Sequence, residues 1–494
     1  MNNTMEITST DAVLDAMPGD DYLALDATEM AQQMRNEGLP PGALLGAALA
    51  RCRAVNEQVN AVVMDHSELA VERLMARVES GTAREGVLAG VPMLLKDLNT
   101  YLAGTVTSNG SRLLAEAVAE HSSTVTQRYE QAGMLIFGKT ASPEFGLTTT
   151  TESAQWGPTR NPWNLAYSVG GSSGGAAAAV AAGIVPVAHA TDGGGSIRIP
   201  ASYCGVFGLK PTRYRIPQGP GGFEGWFGAS CGHVVSRTVR DSALLMDVSH
   251  GHEPGSPYWL EPVHDSFVEQ MNREPGRLRI GLVSGNLTGV PLDPDIQRVL
   301  DEIVALLCAL GHEVESVVLP VDAGQLFSAH GAVTSTALLA AVSDHETAMG
   351  RSMDEDHLEP ISRRILENAR NHSAQTLFRA RRAFENIGQQ MELVLGRFDL
   401  LLSPVTASLT PKLEVLSLQN SYEDYTRDIV GSVAYTVLAN VTGQPSMSVP
   451  SGLGRENLPI GMMFTAGRCR EGLLLSLARQ LEVSRPWAHL RASL

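Results

Sequence analysis

The sequence predicts an α/β protein with a large mixed, mostly parallel β-sheet sandwiched between helices. Two observations carry this prediction. Continuous apolar segments of strand length alternate with helical segments along most of the chain. The composition is that of a globular protein with a substantial core, because 44% of the 494 residues are hydrophobic and 18% are charged. Neither a fixed-period repeat nor a low-complexity linker divides the chain, which predicts a single domain over residues 1–494.

The first half of the chain begins with a polar stretch, residues 1–22, that is expected to be loose. An apolar stripe followed by a Pro-Pro turn predicts helices between residues 23 and 63. Beyond these helices, apolar runs predict strands and amphipathic or small-residue runs predict helices. The predicted elements are a strand at 88–97, a helix at 124–133, a strand at 134–140, a helix at 174–183 and a strand at 184–190.

The second half of the chain repeats this alternation with longer helices. LRIGLVSG (278–285) predicts a strand, a helix follows near 294–310, and DLLLSPVT (399–406) predicts a strand that returns to the core. Residues 322–394 are predicted to be helical throughout and are interpreted as a helical insert that lines the substrate side.

Charge and composition exclude several classes of function. The formal net charge of −16 argues against nucleic acid or an anionic membrane as the main partner. The N-terminal segment lacks the basic and apolar regions of a secretory signal, and the longest apolar run, 176–188, is too short to span a bilayer. The five cysteines are scattered and form no CxxC pair. We therefore expect a cytoplasmic protein with reduced thiols and no metal site.

One motif has the letters of a phosphate-binding loop without its chemistry. GMLIFGKT (133–140) fits the pattern G-x-x-x-x-G-K-[ST]. A phosphate-binding loop needs small or polar residues whose amides turn inward, whereas the residues from Met134 to Phe137 are large and apolar. This segment is therefore interpreted as a buried strand.

Serines embedded in glycine occur at two places, 24 residues apart. At the first place, GGSSG (170–174) fits the nucleophile-elbow pattern G-x-S-x-G around Ser172, and GSSGG (171–175) fits it around Ser173. An elbow follows a strand directly, whereas the preceding NPWNLAYSVGG is rich in Pro and Asn and is interpreted as a loop. An α/β-hydrolase-type esterase that uses either serine with a later histidine remains an alternative.

The second serine, Ser196, lies in DGGGSIR (192–198), directly after a predicted strand. Three successive glycines allow neighbouring backbone N–H groups to point into one concavity, which an oxyanion hole requires. A tight glycine turn with a capping serine explains the motif equally well.

A buried lysine supplies a candidate base. Lys96 ends the apolar strand in VPMLLKDL (91–98), where the leucines around it keep water away. Desolvation lowers the pKa of a lysine towards a value at which the neutral amine accepts a proton. Taken alone, Lys96 is better interpreted as an ordinary lysine whose stem packs on apolar surface. Together with the serine pairs, it suggests a Ser–Ser–Lys relay in place of Ser–His–Asp.

These motifs together resemble the amidase signature family. The resemblance covers most of the chain and implies the amidase signature fold and a hydrolase of carbon–nitrogen bonds other than peptide bonds, with no metal and no organic cofactor. It also implies a homodimer, which the sequence itself does not show. The segments that carry it are Lys96, GGSSGGAAAAVAAG, DGGGSIRIPASYCGVFGLKPT, GPTRNPWN (157–164), RTVRD (237–241), DLLLSPVT, NVTGQPSMSVP and LPIGMMF.

The resemblance also implies a role for each motif residue. Ser196 is the implied nucleophile, which forms an acyl-enzyme with the amide carbonyl. Ser172 is the implied bridging serine, held in a cis peptide bond, and Lys96 is the implied general base that later returns a proton to the leaving amine. Ser173 supports the network by hydrogen bonds. The implied oxyanion hole consists of the amides of Gly193, Gly194, Gly195 and Ser196.

The chain departs from the family pattern at two positions. Gly193 stands where family members often have a larger residue such as Thr or Ile, which would make the oxyanion hole more flexible. His233 follows Gly232 where family members commonly carry Gly-Pro before the arginine that corresponds to Arg237, which leaves the geometry of that loop open.

Within the family, the chain most resembles the branch that contains the 6-aminohexanoate cyclic-dimer hydrolases. This resemblance implies a small linear or cyclic amide as the substrate. The predicted pocket walls are the helical insert and the loop QGPGGFEGWFGASCG (218–232), with Phe223, Trp226 and Phe227, although these rings fit a satellite core as well. A subunit of a glutamine-dependent tRNA amidotransferase, from the same family, is a further alternative.

Overall fold

The centre of the fold is an eleven-stranded sheet within the residues that the computed structural model describes, which are 14, 16–36, 38–350, 352–492 and 494. The described residues form fifteen strands, of which β4 to β7 lie outside this sheet in two short pairs. They are β1 (Val62–Asp65), β2 (Pro92–Lys96), β3 (Leu135–Thr140), β4 (Glu152–Ser153), β5 (Gly157–Pro158), β6 (Arg160–Asn161), β7 (Asn164–Ser168), β8 (Val187–Asp192), β9 (Phe207–Lys210), β10 (Cys231–Ser236), β11 (Arg279–Val283), β12 (Glu313–Val317), β13 (Leu400–Pro404), β14 (Ser446–Leu453) and β15 (Pro459–Ala466).

Helices surround this sheet and make up most of the remaining regular structure. They are α1 (Gly19–Ala24), α2 (Ala27–Arg35), α3 (Ala43–Val59), α4 (Ser67–Glu79), α5 (Thr124–Gln131), α6 (Gly174–Ala181), α7 (Arg198–Cys204), α8 (Val239–Ser249), α9 (Phe267–Met271), α10 (Pro294–Ala309), α11 (Ala323–Met349), α12 (Pro360–Ala369), α13 (Ala374–Leu395), α14 (Tyr422–Ile429), α15 (Val437–Thr442) and α16 (Glu471–Ser484).

The predicted large mixed sheet flanked by helices is confirmed. Its strand order in the described chain is β1-β3-β2-β8-β10-β9-β14-β15-β13-β11-β12. Parallel pairs join β2 to β3 and β8, and β11 to β12 and β13, whereas the six other neighbouring pairs of described strands are antiparallel. Parallel pairing therefore accounts for a smaller share than the sequence predicts, because β14 and β15 are consecutive antiparallel strands in the middle of the sheet.

Most predicted elements lie where the apolar pattern placed them, and three differ. The strand predicted at 184–190 begins only at Val187, directly after Pro186, which has no N–H for the ladder. The segment interpreted as a loop before the first serine pair contains the short antiparallel pair of β6 and β7, which lies outside the main sheet. Of the stretch 1–22 expected to be loose, residues 1–13 and 15 lie outside the described residues, and α1 begins at Gly19.

The small-residue helix α6 fills a narrow space between the sheet and the loop after β3. Its residues from Gly174 to Val180 are all buried. A Cβ added to Gly175 would stand 2.5 Å from the backbone nitrogen of Ala141. Position 175 therefore accepts only glycine, because even the Cβ of alanine would collide with the backbone.

The predicted helical insert consists of α11, α12 and α13, interrupted between residues 350 and 359. Helix α11 packs against both α12 and α13. By length and apolar composition, α11 alone among the described helices could cross a membrane, although core helices of soluble proteins pass the same test.

Candidate active site

Lys96 is the last residue of β2 and lies inside the fold. Its side chain is fully buried, and its Nζ lies 2.8 Å from Ser172 Oγ and 2.9 Å from Thr191 Oγ1. Burial lowers the pKa of Lys96 well below its ordinary value, against the opposing effect of the Asp192 carboxylate. Both polar partners of the amine are hydroxyl groups, so no carboxylate among the described residues forms a direct ion pair that would stabilise the protonated amine.

The first serine pair lies between β7 and α6. A cis peptide bond joins Gly171 to Ser172, as the family resemblance implies. The Ser173 N–H donates to the Ser196 carbonyl oxygen at 3.2 Å, which ties the two serine segments together. Ser173 Oγ donates to the Thr191 carbonyl at 3.0 Å and accepts from the Thr191 N–H at 3.1 Å. Ser173 therefore fastens the serine loop to β8, and Ser172 alone of the pair contacts Lys96.

The glycine loop after β8 is wrapped around the carboxylate of Asp192. This carboxylate accepts from the Gly195 N–H at 2.8 Å and from the Ile197 N–H at 3.0 Å. Gly195 has a φ of +134°, a conformation that glycine adopts without strain. Since its N–H is already used by Asp192, Gly195 is not a free donor for an oxyanion, in contrast to the expectation from the sequence.

The remaining donors of this loop are the N–H groups of Gly193, Gly194 and Ser196. None of the three donates a hydrogen bond to another residue of the described chain. Gly193 and Ser196 line a cleft together with Ser172 and Thr191. Ser196 Oγ is also without a hydrogen bond to any described residue. Its hydroxyl and the N–H groups of Gly193 and Ser196 are therefore available to a molecule in the cleft, whereas Gly194 has an unengaged N–H but is not a lining residue.

A fully buried ion pair holds Asp192 in place. Arg198 donates to the two Asp192 oxygens at 3.0 and 2.9 Å through Nε and Nη2. Asn440 donates to Asp192 Oδ1 at 2.8 Å and accepts from Arg198 Nη2 at 2.6 Å. Burial alone would raise the pKa of Asp192, but Arg198 and the other donors outweigh it and hold this pKa well below its usual range. The carboxylate is therefore compensated by Arg198 and is not an ion-pair partner of Lys96.

Two side chains from distant segments hold the carbonyl groups of the glycine loop. His330 Nε2 lies 2.8 Å from the Gly193 oxygen, and Thr436 Oγ1 donates to the Gly194 oxygen at 2.7 Å. Burial lowers the pKa of His330, so its ring is neutral and the proton on Nε2 makes this hydrogen bond. A carbonyl and the next N–H share one peptide plane and point in opposite directions. Holding the Gly193 carbonyl therefore also aims the Gly194 N–H.

The departure from the family pattern at position 193 is explained by Trp226. A Cβ on Gly193 would stand 2.5 Å from Cζ3 of the Trp226 ring. That ring meets His330 edge to face, with the ring centres 5.8 Å apart and an interplanar angle of 86°. The indole thus occupies the space that a larger residue at position 193 would need. The glycine loop is therefore packed against Trp226 at this position, in contrast to the flexibility expected from the sequence.

The cleft in front of Ser196 has a volume of about 540 Å³. Trp226 lies on its wall, and helix α11 contributes Leu338 and neighbouring residues. Phe223 and Phe227 lie away from the cleft. Phe227 packs with the cluster of α11 and α13, and the Phe223 ring covers Gly219 and Gly255. Of the three aromatic residues singled out in the loop, only Trp226 therefore lines the cleft.

No described histidine hydrogen-bonds to Ser172 or Ser173, which the esterase alternative requires. His189 on β8 lines the cleft, but burial and the nearby lysine lower its pKa to about 3. His233 lies within β10, where its Nε2 is 3.0 Å from Ser242 Oγ. The second departure from the family pattern is thus accommodated in a buried strand and not in a loop.

Several residues of the site were not singled out by sequence reasoning. They come from four different segments, and only Asp192 and Arg198 (in DGGGSIR) and Asn440 (in NVTGQPSMSVP) belong to motifs that the sequence analysis used. The only available signals were the position of Thr191 next to DGGGSIR and the buried aspartate and arginine that bracket the motif itself. The missed residues are Thr191, Asp192, Arg198, His330, Thr436 and Asn440.

Comparison with known proteins covers nearly the whole chain. Residues 43–475 match the family model described as Amidase, and this range includes every residue of the site. A 6-aminohexanoate-cyclic-dimer hydrolase of Paenarthrobacter ureafaciens is 37% identical over 489 residues, covering 95% of this chain and 96% of that protein. A solved 6-aminohexanoate cyclic dimer hydrolase superposes with a TM-score of 0.87 at 35% identity, covering 95% of this chain and 99% of the other. A bacterial aryl acylamidase of the amidase signature enzymes superposes with a TM-score of 0.84 at 29% identity, covering 94% and 97% of the two chains.

Proposed function

Because this chain belongs to the amidase signature family, we propose that it hydrolyses the C–N bond of a small linear or cyclic amide through an acyl-enzyme on Ser196. In this proposal Ser172 carries protons between Ser196 and Lys96. The single observation that supports it best is the 2.8 Å distance between Lys96 Nζ and Ser172 Oγ, at a fully buried lysine beside the cleft that Ser196 lines.

Burial makes Lys96 fit the role of a base. A neutral amine has a lone pair for the Ser172 proton and two N–H bonds, one of which is donated to Thr191 Oγ1. The lowered pKa of Lys96 allows this neutral form near neutral pH. An ordinary exposed lysine would be charged and could not accept a proton there.

Acylation then follows from the positions of the three groups. Ser196 Oγ attacks the amide carbonyl carbon while its proton moves to Ser172 Oγ, and the Ser172 proton moves to Lys96 Nζ. The negative oxygen of the tetrahedral intermediate accepts from the free N–H groups of Gly193, Gly194 and Ser196. When the C–N bond breaks, the proton returns from Lys96 through Ser172 to the leaving nitrogen, and Ser196 is left as an ester.

Deacylation uses the same path with water as the nucleophile. Water gives a proton to Ser172 and attacks the ester carbonyl, and the second tetrahedral intermediate is stabilised by the same N–H groups. Its breakdown releases the carboxylic acid and returns a proton to Ser196 Oγ, so that Lys96 is neutral again. The net reaction is amide plus water to acid plus amine.

The cleft favours an uncharged or amine-bearing substrate over an acid. Among the described residues that line it, Glu224 and Asp344 are acidic and none is lysine or arginine. Glu224 already accepts from the Tyr214 hydroxyl at 2.8 Å. The relative from Paenarthrobacter ureafaciens is named a 6-aminohexanoate-cyclic-dimer hydrolase, so we propose this neutral cyclic amide as the first substrate to assay.

The proposal is tested by labelling with a small sulfonyl fluoride, followed by intact-mass spectrometry and peptide mapping. We expect one adduct, on Ser196, and loss of amidase activity in proportion to labelling. Labelling is expected to stop in Ser196→Ala and to slow strongly in Lys96→Ala, whereas His233→Ala serves as the control that keeps it. An adduct on Ser172 or Ser173, or labelling that depends on a histidine and not on Lys96, would show that the roles assigned here are wrong.

A further inference from the structure

A second cavity, separate from the catalytic cleft, lies between one face of the sheet and helices α13 and α15. It has a volume of about 180 Å³ and shares no lining residue with the cleft among the residues described. Its floor is a block of four side chains in register, because Leu401 pairs with Thr465 and Ser403 pairs with Met463 across β13 and β15. The segments DLLLSPVT, NVTGQPSMSVP and LPIGMMF supply part of its lining, but the proposed reaction does not use this space.

The chemistry of the lining restricts what the cavity can hold. None of the described residues around it is Asp, Glu, Lys, Arg or His. Leu401, Met391 and Leu438 supply apolar surface, while Ser403 and Gln444 add hydroxyl and amide groups. A charged molecule would lose its hydration here without an ionic partner, whereas mostly apolar pockets with a few polar groups are typical of small-molecule sites. The lining therefore fits a compact, uncharged, largely apolar molecule.

Helix α15 connects this cavity to the catalytic loop. Leu438 and Ala439 line the cavity. On the other side of the same short helix, Asn440 donates to the Asp192 carbonyl oxygen at 2.9 Å. Thr436, the N-cap residue of this helix, donates to the Gly194 carbonyl oxygen at 2.7 Å. Residues four apart on a helix share a face, so positions 436 and 440 hold the loop while positions 438 and 439 face the cavity.

We propose that this cavity is a binding site for a compact neutral molecule with one hydrogen-bonding group, and that its occupation changes turnover through helix α15. A bound molecule that contacts Leu438 and Ala439 favours one position of the helix. Because Thr436 and Asn440 move with the helix, the same preference is passed to the donors beside Ser196. The coupling requires only that the molecule binds the two positions of the helix with different affinity.

The test uses indole as the probe, because it is neutral, compact and a poor nucleophile towards an acyl-enzyme. Binding is measured by ligand-observed NMR titration, which needs no catalytic activity and therefore stands apart from the proposed function that supplies the kinetic readout. Val321→Trp and Ala439→Trp fill the cavity from opposite sides, and Val483→Trp places the same indole side chain on the exposed face of α16 as the control.

We expect indole to bind the wild type and Val483→Trp equally, and each filled variant at least about tenfold more weakly. With an amide substrate, saturating indole is expected to change kcat at least about twofold at constant KM in the wild type and to have no effect in Val321→Trp. Circular dichroism identifies a variant that does not fold. The comparison with the wild type is then made with the other filled variant.

Three results would overturn the inference. Equal indole affinity in the wild type and in a folded filled variant, or no binding up to the solubility limit of indole, would exclude the site. A rise in KM at constant kcat would place indole in the catalytic cleft. Binding that the filled variants abolish, without any change in kcat, would exclude the coupling through α15.

Discussion

Replacing His330 is the perturbation that most directly tests how the catalytic loop is held. In His330→Ala the Gly193 oxygen loses a donor at 2.8 Å, and the Trp226 ring loses the edge-to-face contact with the imidazole. Neither change touches Lys96, Ser172 or Ser196. The peptide plane between residues 193 and 194 becomes free to rotate, and the Gly194 N–H is no longer aimed at the developing oxyanion.

The size of the effect follows from one hydrogen bond. A neutral hydrogen bond contributes about 1 kcal/mol net, and about 1.4 kcal/mol corresponds to a tenfold change in rate. We therefore expect kcat to fall about fivefold, with KM nearly unchanged because the donor acts on the transition state. If the Gly194 N–H were lost completely as an oxyanion donor, kcat would fall about 100-fold to 1000-fold. This loss is the upper limit of the expected effect.

The assay is steady-state hydrolysis of a chromogenic anilide, with kcat and KM determined separately. His330→Gln retains an N–H donor and is expected to recover most of the lost kcat. His345→Ala, which removes an imidazole elsewhere on the same helix α11, is the matched control and is expected to behave as the wild type. An unchanged kcat in His330→Ala, or a rise in KM alone, would refute the role assigned to this hydrogen bond.

Three further predictions concern the base, the loop and the buried ion pair. The kcat/KM of the wild type is expected to rise with pH through the lowered pKa of Lys96, since only the neutral amine accepts a proton; a flat profile across the neutral range, or activity in Lys96→Arg, would contradict this. Gly193→Ala places a methyl group against Trp226 and is expected to lower both kcat and the unfolding free energy, by about 1–3 kcal/mol for the latter. In the double variant with Trp226→Ala, kcat and the unfolding free energy from urea melts should partly recover. If the losses of the two single variants simply add in either quantity, the steric explanation is wrong. Arg198→Met leaves the Asp192 carboxylate buried without its cation and is expected to cost about 3–5 kcal/mol of unfolding free energy, so a loss below about 1 kcal/mol would show that the pair is not structurally important.

The local parts of the fold and site could be predicted from the sequence because their signals are local. Lys96 ends a run of apolar residues, and the structure places it at the end of β2. The small-residue run after the serine pair predicts a helix, and α6 occupies that position. The resemblance to the family added the cis peptide at Ser172, which no periodicity or composition could indicate.

The parts that could not be predicted depend on contacts between distant segments. His330 reaches Gly193 across 137 positions of the chain, and Thr436 reaches Gly194 across 242. Neither residue stands in a pattern that separates it from other buried histidines and threonines. The order of the central strands depends in the same way on tertiary packing, so antiparallel pairing there was underestimated.

The aromatic residues of the loop 218–232 show a second limit. Trp226 and Phe227 are adjacent, and both have left-handed backbone conformations, with φ of 55° and 53°. This irregular backbone directs the Trp226 ring to Gly193 and places Phe227 against α13, beneath Arg381. From the sequence alone, both neighbouring aromatic residues are expected to line the pocket. The left-handed backbone that sends the two rings in different directions has no signature in the sequence.

The long reach of Thr436 and Asn440 has a consequence for how the protein is made. The ribosome adds about 5–20 residues per second, and N-terminal segments become available for folding first. The serines and Lys96 therefore emerge early, but the two side chains that fix the catalytic loop come 242 and 248 positions after the residues they hold. The nascent chain thus carries all of its reactive groups long before the loop beside them is completed. The loop is therefore completed only when the segment around residues 436–440 has folded against it, so a chain that stops before residue 436 is expected to contain Lys96 and both serine segments without the side chains that hold the loop.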